Sequence, residues 1–222
     1  NPGGISYSIE RRRELIRFCL TNEIPIVEDN PYSRLRYSGE PLPTFYRLAH
    51  EEFSGTSIVT EIVSFSKILG PGMRIAFAKG DKDLITKMVS WQQKVNITPD
   101  CVAQRVVARF LEQGLMDPHI ESIRAFYAPY LAKMLSDLEA FMPPSVSWTK
   151  PKGGIFLWMT LPEQVNADEL FVKAAQNKVS FIPGSKFYPE GQERFNTLRL
   201  NYSFATPEQI ETGIRRLAEL LA

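Results

Sequence analysis

Histidine and cysteine are scarce in this chain of 222 residues, which holds two of each. His50 and His119 are too far apart in sequence to suggest a ligand cluster, which argues against a metal site. Cys19 and Cys101 also lie far apart, inside helical patterns. Buried free thiols in a reducing compartment fit them better than a disulfide, although the sequence leaves pairing open. No apolar run approaches the roughly 18 residues a membrane span needs, and no signal-peptide pattern is present, so a cytoplasmic protein without a membrane partner is expected. A surplus of one charge is missing too. The 26 basic and 25 acidic residues leave a formal charge of +1, which offers no electrostatic footprint for nucleic acid. The single basic cluster, Arg11-Arg12-Arg13, reads as the solvated face of an amphipathic helix. Repeats, low-complexity stretches and an initiating methionine are all absent; the chain opens on Asn1-Pro2-Gly3-Gly4, a tight turn and an odd beginning for a domain.

What is present is an ordinary globular composition, 44% hydrophobic and 23% charged, in a chain long enough for one large domain or two small ones. From Ser8, a good N-cap, Ile9, Leu15, Phe18 and Cys19 recur at helical spacing. Residues 24–27 read as a buried strand that ends in Glu28-Asp29-Asn30-Pro31-Tyr32, and polar groups at the carboxyl end of such a strand are where ligands bind in open α/β sheets. Further strands are expected over 58–65 and 74–78. Helices are expected from Asp81, with Leu84, Ile85, Met88 and Val89 on one face, from Thr98-Pro99 to about Gln113, and from Asp117-Pro118 to about Phe141, with a kink or break at Pro129. The second half predicts strands over 146–149, 154–161, 179–182 and 197–203. Its helices open at the capping-box spacings Asn166 to Glu169 and Thr206 to Gln209. Strands and helices alternate up to about residue 117, which suggests part of a mostly parallel sheet, and a smaller α+β unit follows.

The chemistry centres on Ser64-Phe65-Ser66-Lys67-Ile68-Leu69-Gly70-Pro71-Gly72-Met73-Arg74. A lysine leaving a strand end, with hydroxyls and an arginine nearby, is well placed to bond a phosphorylated aldehyde. The pattern S-F-S-K-x-x-x-P-G-x-R resembles the lysine segment of class I/II aminotransferases, the fold-type I enzymes that use pyridoxal 5′-phosphate (PLP). Other segments resemble the family's in the same order: Asn1-Pro2-Gly3-Gly4, Asp29 and Tyr32 in E-D-N-P-Y, residues 151–158 (P-K-G-G-I-F-L-W), and residues 196–200 (N-T-L-R-L). The resemblance spans nearly the whole chain and is closest to the aminoadipate, aromatic and branched-chain transaminase subgroup.

The resemblance implies the C-terminal part of a PLP-binding large domain over residues 1–117, its N-terminal half absent, and a small C-terminal domain with its long linking helix over 118–222. It implies that Lys67 bonds the cofactor aldehyde and then serves as the general base, that Asp29 faces the ring nitrogen, and that Tyr32 and Asn1 bond the ring's 3′ oxygen. Arg74 and Ser64, with a further hydroxyl from Ser66, are implied for the phosphate, and Arg199, with Asn1, for the substrate α-carboxylate. Read without the family, Asp29 is a cap, Tyr32 packing, Lys67 a surface lysine beside a turn and Arg199 an ordinary salt bridge; Phe156 and Trp158 read as core. The implied activity is amino transfer between an amino acid and a 2-oxo acid in a homodimer. Members of the family run to roughly twice this length, so the chain is expected to be a truncated product that binds PLP poorly and turns over little. The alternative is the PLP-sensing effector domain of a GntR/MocR-like transcription regulator.

Overall fold

Strand β2 (Val59–Ser64) is the central strand of a three-stranded sheet and delivers the lysine segment. It pairs in parallel with β1 (Ile26–Asp29) and antiparallel with β3 (Ala76–Lys79). Parallel partners need a long crossover, and here the crossover between β1 and β2 contains α2 (Phe45–Glu52); the short connection over residues 65–75 can only return antiparallel. The computed structural model describes residues 1–55, 57–98 and 100–221. Its chain forms two compact units, Tyr7–Ile123 and a second made of Asn1–Ser6 with Arg124–Ala222.

In the first unit, α1 (Ile9–Thr21) starts where Ser8 accepts a bond from the Arg11 amide. Its buried residue is Ile16, which packs with Phe45, Leu48, Ala49 and Val59, while Phe18 is exposed. The basic cluster is not a uniformly solvated face. Arg12 turns inward, donating to the Pro43 carbonyl at 2.8 Å and lying over the Phe45 ring, because Glu28 waits there 3.8 Å away. Helix α3 (Lys82–Asn96) follows its Asp81 cap as expected, yet buries no residue. Pro99 lies outside the described residues, and the cap of α4 (Cys101–Glu112) is Asp100 rather than Thr98: the aspartate stands directly before the helix and accepts from the Ala103 amide. Cys19 is half-buried and Cys101 exposed, so the second thiol does not sit in a core.

Glu28 is held on the α2 side of the sheet. Its two carboxylate oxygens accept the Phe45 and Tyr46 amides, at 3.0 and 3.1 Å, in the first turn of α2, where the helix dipole favours an anion. Burial nevertheless dominates and raises its pKa, with the neighbouring Glu61 charge adding to the rise against those two amides and Arg12. A carboxyl whose folded pKa is raised contributes stability that is fully present below its unfolded pKa, about 4.3, and lost as pH rises through the folded value. Thermal unfolding of wild type and Glu28→Gln between pH 4 and 8 is therefore expected to show the wild type losing ground against the variant as pH rises. A gap that is constant, or that moves the other way, contradicts the assignment.

Helix α5 (Met116–Phe141) holds Pro129 in its interior, where a kink or break was expected, and continues past it. The second unit holds a four-stranded sheet in the order β4-β5-β7-β6, built from β4 (Ser147–Trp148), β5 (Phe156–Thr160), β6 (Ile182–Pro183) and β7 (Thr197–Asn201). Leu157, Met159, Leu198 and Leu200 point into its core. The strand expected over 179–182 shrinks to an edge pair because the Val179 amide donates to Ala174, closing α6 (Ala167–Gln176), and because Pro183 has no N–H to extend a ladder. Asn166 caps α6, and Thr206 with Gln209 forms a complete capping box at α7 (Pro207–Glu219), whose Ile210, Ile214 and Leu217 are buried at helical spacing. Each of these three contributes about 1.5–3 kcal/mol of burial. Among the described residues, no helix is long and apolar enough to cross a membrane.

Candidate active site

Sheet pairing sets the first cluster. Asp29 is the last residue of β1 and lies opposite Ile62, and paired residues share a face, so Asp29, Ile62 and Ser64 point to one side of the sheet. Glu28 and Glu61, also in register, point to the other. Asp29 is exposed, at the carboxyl end of its strand. The backbone continues the ladder one step further, the Asn30 amide donating to the Ile62 carbonyl at 2.8 Å, and then turns, with the Leu35 amide donating to the carbonyl of the half-buried Tyr32.

Lys67 ends a 3-10 turn, Phe65–Lys67, that starts directly after β2. The Ser64 hydroxyl caps this turn by accepting the Ser66 amide at 3.2 Å, and it keeps its own proton to donate. The turn is fixed from below by Phe65 and Ile68, both buried, and by the Phe65 carbonyl, which receives the amides of Leu69 and Gly70. Lys67 itself is half-buried between these anchors. A second 3-10 turn, Pro71–Met73, leads to Arg74, whose φ of 53° places a non-glycine residue in the left-handed region. Such a conformation is tolerated only where surrounding structure demands it. The Arg74 guanidinium is exposed and donates to the Pro71 carbonyl at 3.4 Å. Lys67 and Arg74 thus share one connection, closed at its base by the Ser64–Ala76 pair.

The second cluster belongs to the other unit. Arg199 on β7 lies with its guanidinium carbon 4.0 Å from the Phe156 ring centre and 5.0 Å from that of Phe187. One of its amino groups donates to Asn1 Oδ1 at 2.7 Å. The Asn1 turn is seated by Gly4, which has a φ of +62° and where an added Cβ would come within 2.8 Å of the Phe156 carbonyl. Only glycine allows that approach. Sequence reading assigned Phe156 to the core and passed over Phe187; the pairing of β5 with β7, which no local pattern reveals, puts Phe156 on the Arg199 face. Trp158, read as core with it, is half-buried and pairs directly with Arg199 on that same face, where it packs edge-on against Phe187.

The donor set fits a phosphorylated pyridine aldehyde. A primary amine follows a capping serine in one turn, an arginine on the same loop supplies a planar cation suited to phosphate, and a carboxylate shares the serine's sheet face.

The chain belongs to the class I and II aminotransferase family, which it matches over residues 1–217. It is 38% identical over 221 residues to aromatic-amino-acid aminotransferase 1 of Thermococcus litoralis, covering 100% of this chain and 52% of that protein. Among solved structures it is similar to LysN, the alpha-aminoadipate aminotransferase of Thermus thermophilus complexed with N-(5′-phosphopyridoxyl)-L-leucine, at 34% identity and a TM-score of 0.93, covering 100% of this chain and 56% of that one. A more distant relative, an uncharacterized HTH-type transcriptional regulator from Bacillus subtilis, is 27% identical over 219 residues, covering 99% of this chain and 44% of that protein. The chain spans about half the length of the curated relatives it matches. The fold-type I α/β architecture expected from the sequence is the one these structural neighbours share.

Proposed function

We propose that this chain carries the lysine-bearing half of a PLP-dependent aminotransferase that moves an amino group between an amino acid and a 2-oxo acid. The observation that carries the reading is that Lys67 follows the carboxyl end of β2 while Asp29 ends the neighbouring parallel strand β1. The name of the structural relative, with its phosphopyridoxyl ligand, supports the choice of cofactor. When bound, that cofactor supplies an aldehyde and an electron-withdrawing ring.

Each side chain then has a task. Lys67 would hold the cofactor by condensing its amine with the aldehyde, with loss of water, and as a free amine would serve as the base for the substrate α-carbon proton. Asp29 would face the ring nitrogen and favour its protonated form. Tyr32 and Asn1 would donate toward the ring's 3′ oxygen, and Arg74, Ser64 and Ser66 would hold the phosphate. Arg199, steadied by Asn1 and by the two phenylalanine rings, takes the substrate carboxylate. In this proposal residues 1–117 form the cofactor-binding part and 118–222 the small domain. The working form is a cytoplasmic homodimer, and the exposed Trp91, Val95, Val102 and Val106 on α3 and α4 support a partner surface.

A PLP-sensing regulator is the weaker reading, since the regulatory relative is the less similar one. Coupled assays of amino transfer from aromatic amino acids and 2-aminoadipate to 2-oxo acids test the proposal. In the full-length protein that carries this chain, product should form with PLP present, and Asp29→Asn should lower turnover by two orders of magnitude or more (~3 kcal/mol) while leaving melting temperature within a few degrees. Cofactor uptake without any turnover, in the protein carrying this chain, would favour the regulator.

A further inference from the structure

Glu61 is a buried charge that the proposed reaction does not use. It is 2% exposed in the middle of β2, on the face opposite Asp29 and Ser64. One carboxylate oxygen accepts the Asn30 side-chain amide at 2.6 Å. The other meets Lys79 Nζ at 2.7 Å and the Thr44 hydroxyl at 3.4 Å. Asn30 in turn uses its side-chain oxygen to accept the Ser33 amide at 3.3 Å, closing the turn that follows β1. A charge-assisted bond donated to a buried anion is strong, and breaking it leaves that charge short of a partner. Asn30 is therefore clamped from beneath the sheet and from within the turn. The residues on either side of this clamped segment, Asp29 and Tyr32, are the two that the proposed function sets toward the cofactor ring.

We propose that Glu61 is a positioning residue, which acts through Asn30 to hold the turn that presents Asp29 and Tyr32. The inference rests on the proposed cofactor reading for its consequence, but the clamp itself does not. Lys79, its ammonium 2.7 Å from the carboxylate, pairs with the Glu61 charge from the solvent side, while Glu28 lies beside it on the same face.

A polarity swap tests the clamp. In N30D two carboxylates face each other and the bond is lost. In E61Q the side-chain amide can present its oxygen to Asn30 or to Lys79, but not to both, so one bond fails. In the double variant N30D/E61Q the amide at position 61 donates to the new carboxylate at position 30, and its oxygen serves Lys79 and Thr44. That carboxylate still accepts the Ser33 amide. Hydrogen exchange followed by mass spectrometry is expected to show residues 30–35 exchanging about tenfold faster in each single variant. PLP binding, followed by its visible absorption, should weaken about tenfold in parallel. The double variant should return both readouts to within about twofold of wild type. Recovery of melting temperature without recovery of exchange in the turn and of PLP affinity would overturn the proposal, as would unchanged exchange in N30D. If N30D does not fold, E61Q and the double variant carry the same comparison. Should the full-length wild-type protein that carries this chain take up no PLP, the cofactor reading fails while the exchange pattern still decides the clamp.

Discussion

Replacing Lys67 by alanine is expected to lower amino transfer by about 10²–10⁴-fold from loss of the proton-transfer base alone, with further loss from the missing bond to the aldehyde. Lys67 ends a turn whose stability comes from other residues: the buried Phe65 and Ile68, the Ser64 cap and the carbonyl of Phe65. Truncating a half-buried side chain that holds none of these should change stability by about 0.5 kcal/mol or less. Activity and stability should therefore separate. Steady-state rates and melting curves on K67A check this, and addition of a small primary amine should restore part of the rate by supplying the missing base. A variant that keeps wild-type turnover would remove Lys67 from the chemistry.

The second large effect is expected at Arg199. Its planar cation is stacked between Phe156 and Phe187 and pinned by Asn1, so the guanidinium is held ready before a carboxylate arrives. Loss of one partner of such a charge pair costs about 3–4 kcal/mol, which is two to three orders of magnitude in kcat/KM. Arg199→Leu should lose this against the amino acid and the 2-oxo acid alike. Arg199→Lys keeps the charge but not the fork or the stacked plane, and should fall between. The sharper measurement compares an amino acid with the amine that lacks its carboxylate. Wild type should prefer the acid strongly, and R199L should show almost no preference. Retained discrimination in R199L would place the carboxylate elsewhere.

Local features were legible in the sequence. Ser8, Asp81, Asn166 and the Thr206–Gln209 box cap helices where their spacing says they should, because a cap needs only residues a few positions apart. The strand before Lys67 and the turn around Pro71 were visible for the same reason. What stayed hidden depends on pairing between distant segments. Arg12 looked solvated because Glu28 is far from it in sequence. Nothing near Glu61 announces that strand register sets it against Glu28 on one side and Lys79 on the other. Phe156 reads as core until β5 is laid beside β7, and Asn1 meets Arg199 from the opposite end of the chain. The sequence pointed to Thr98 as the cap of α4, and the helix instead starts two residues later, where Asp100 accepts the Ala103 amide.

The most direct test of the central claim is chemical. The protein is incubated with PLP and reduced with borohydride, and its peptides are then mapped by mass spectrometry. Whatever the total uptake, the pyridoxyl label should fall on the peptide carrying Lys67 in preference to Lys79, Lys94, Lys152 and the other lysines, and K67A should lose that selective label. Label spread evenly over the lysines, or missing from Lys67, would contradict the assignment of this residue as the one that joins the cofactor.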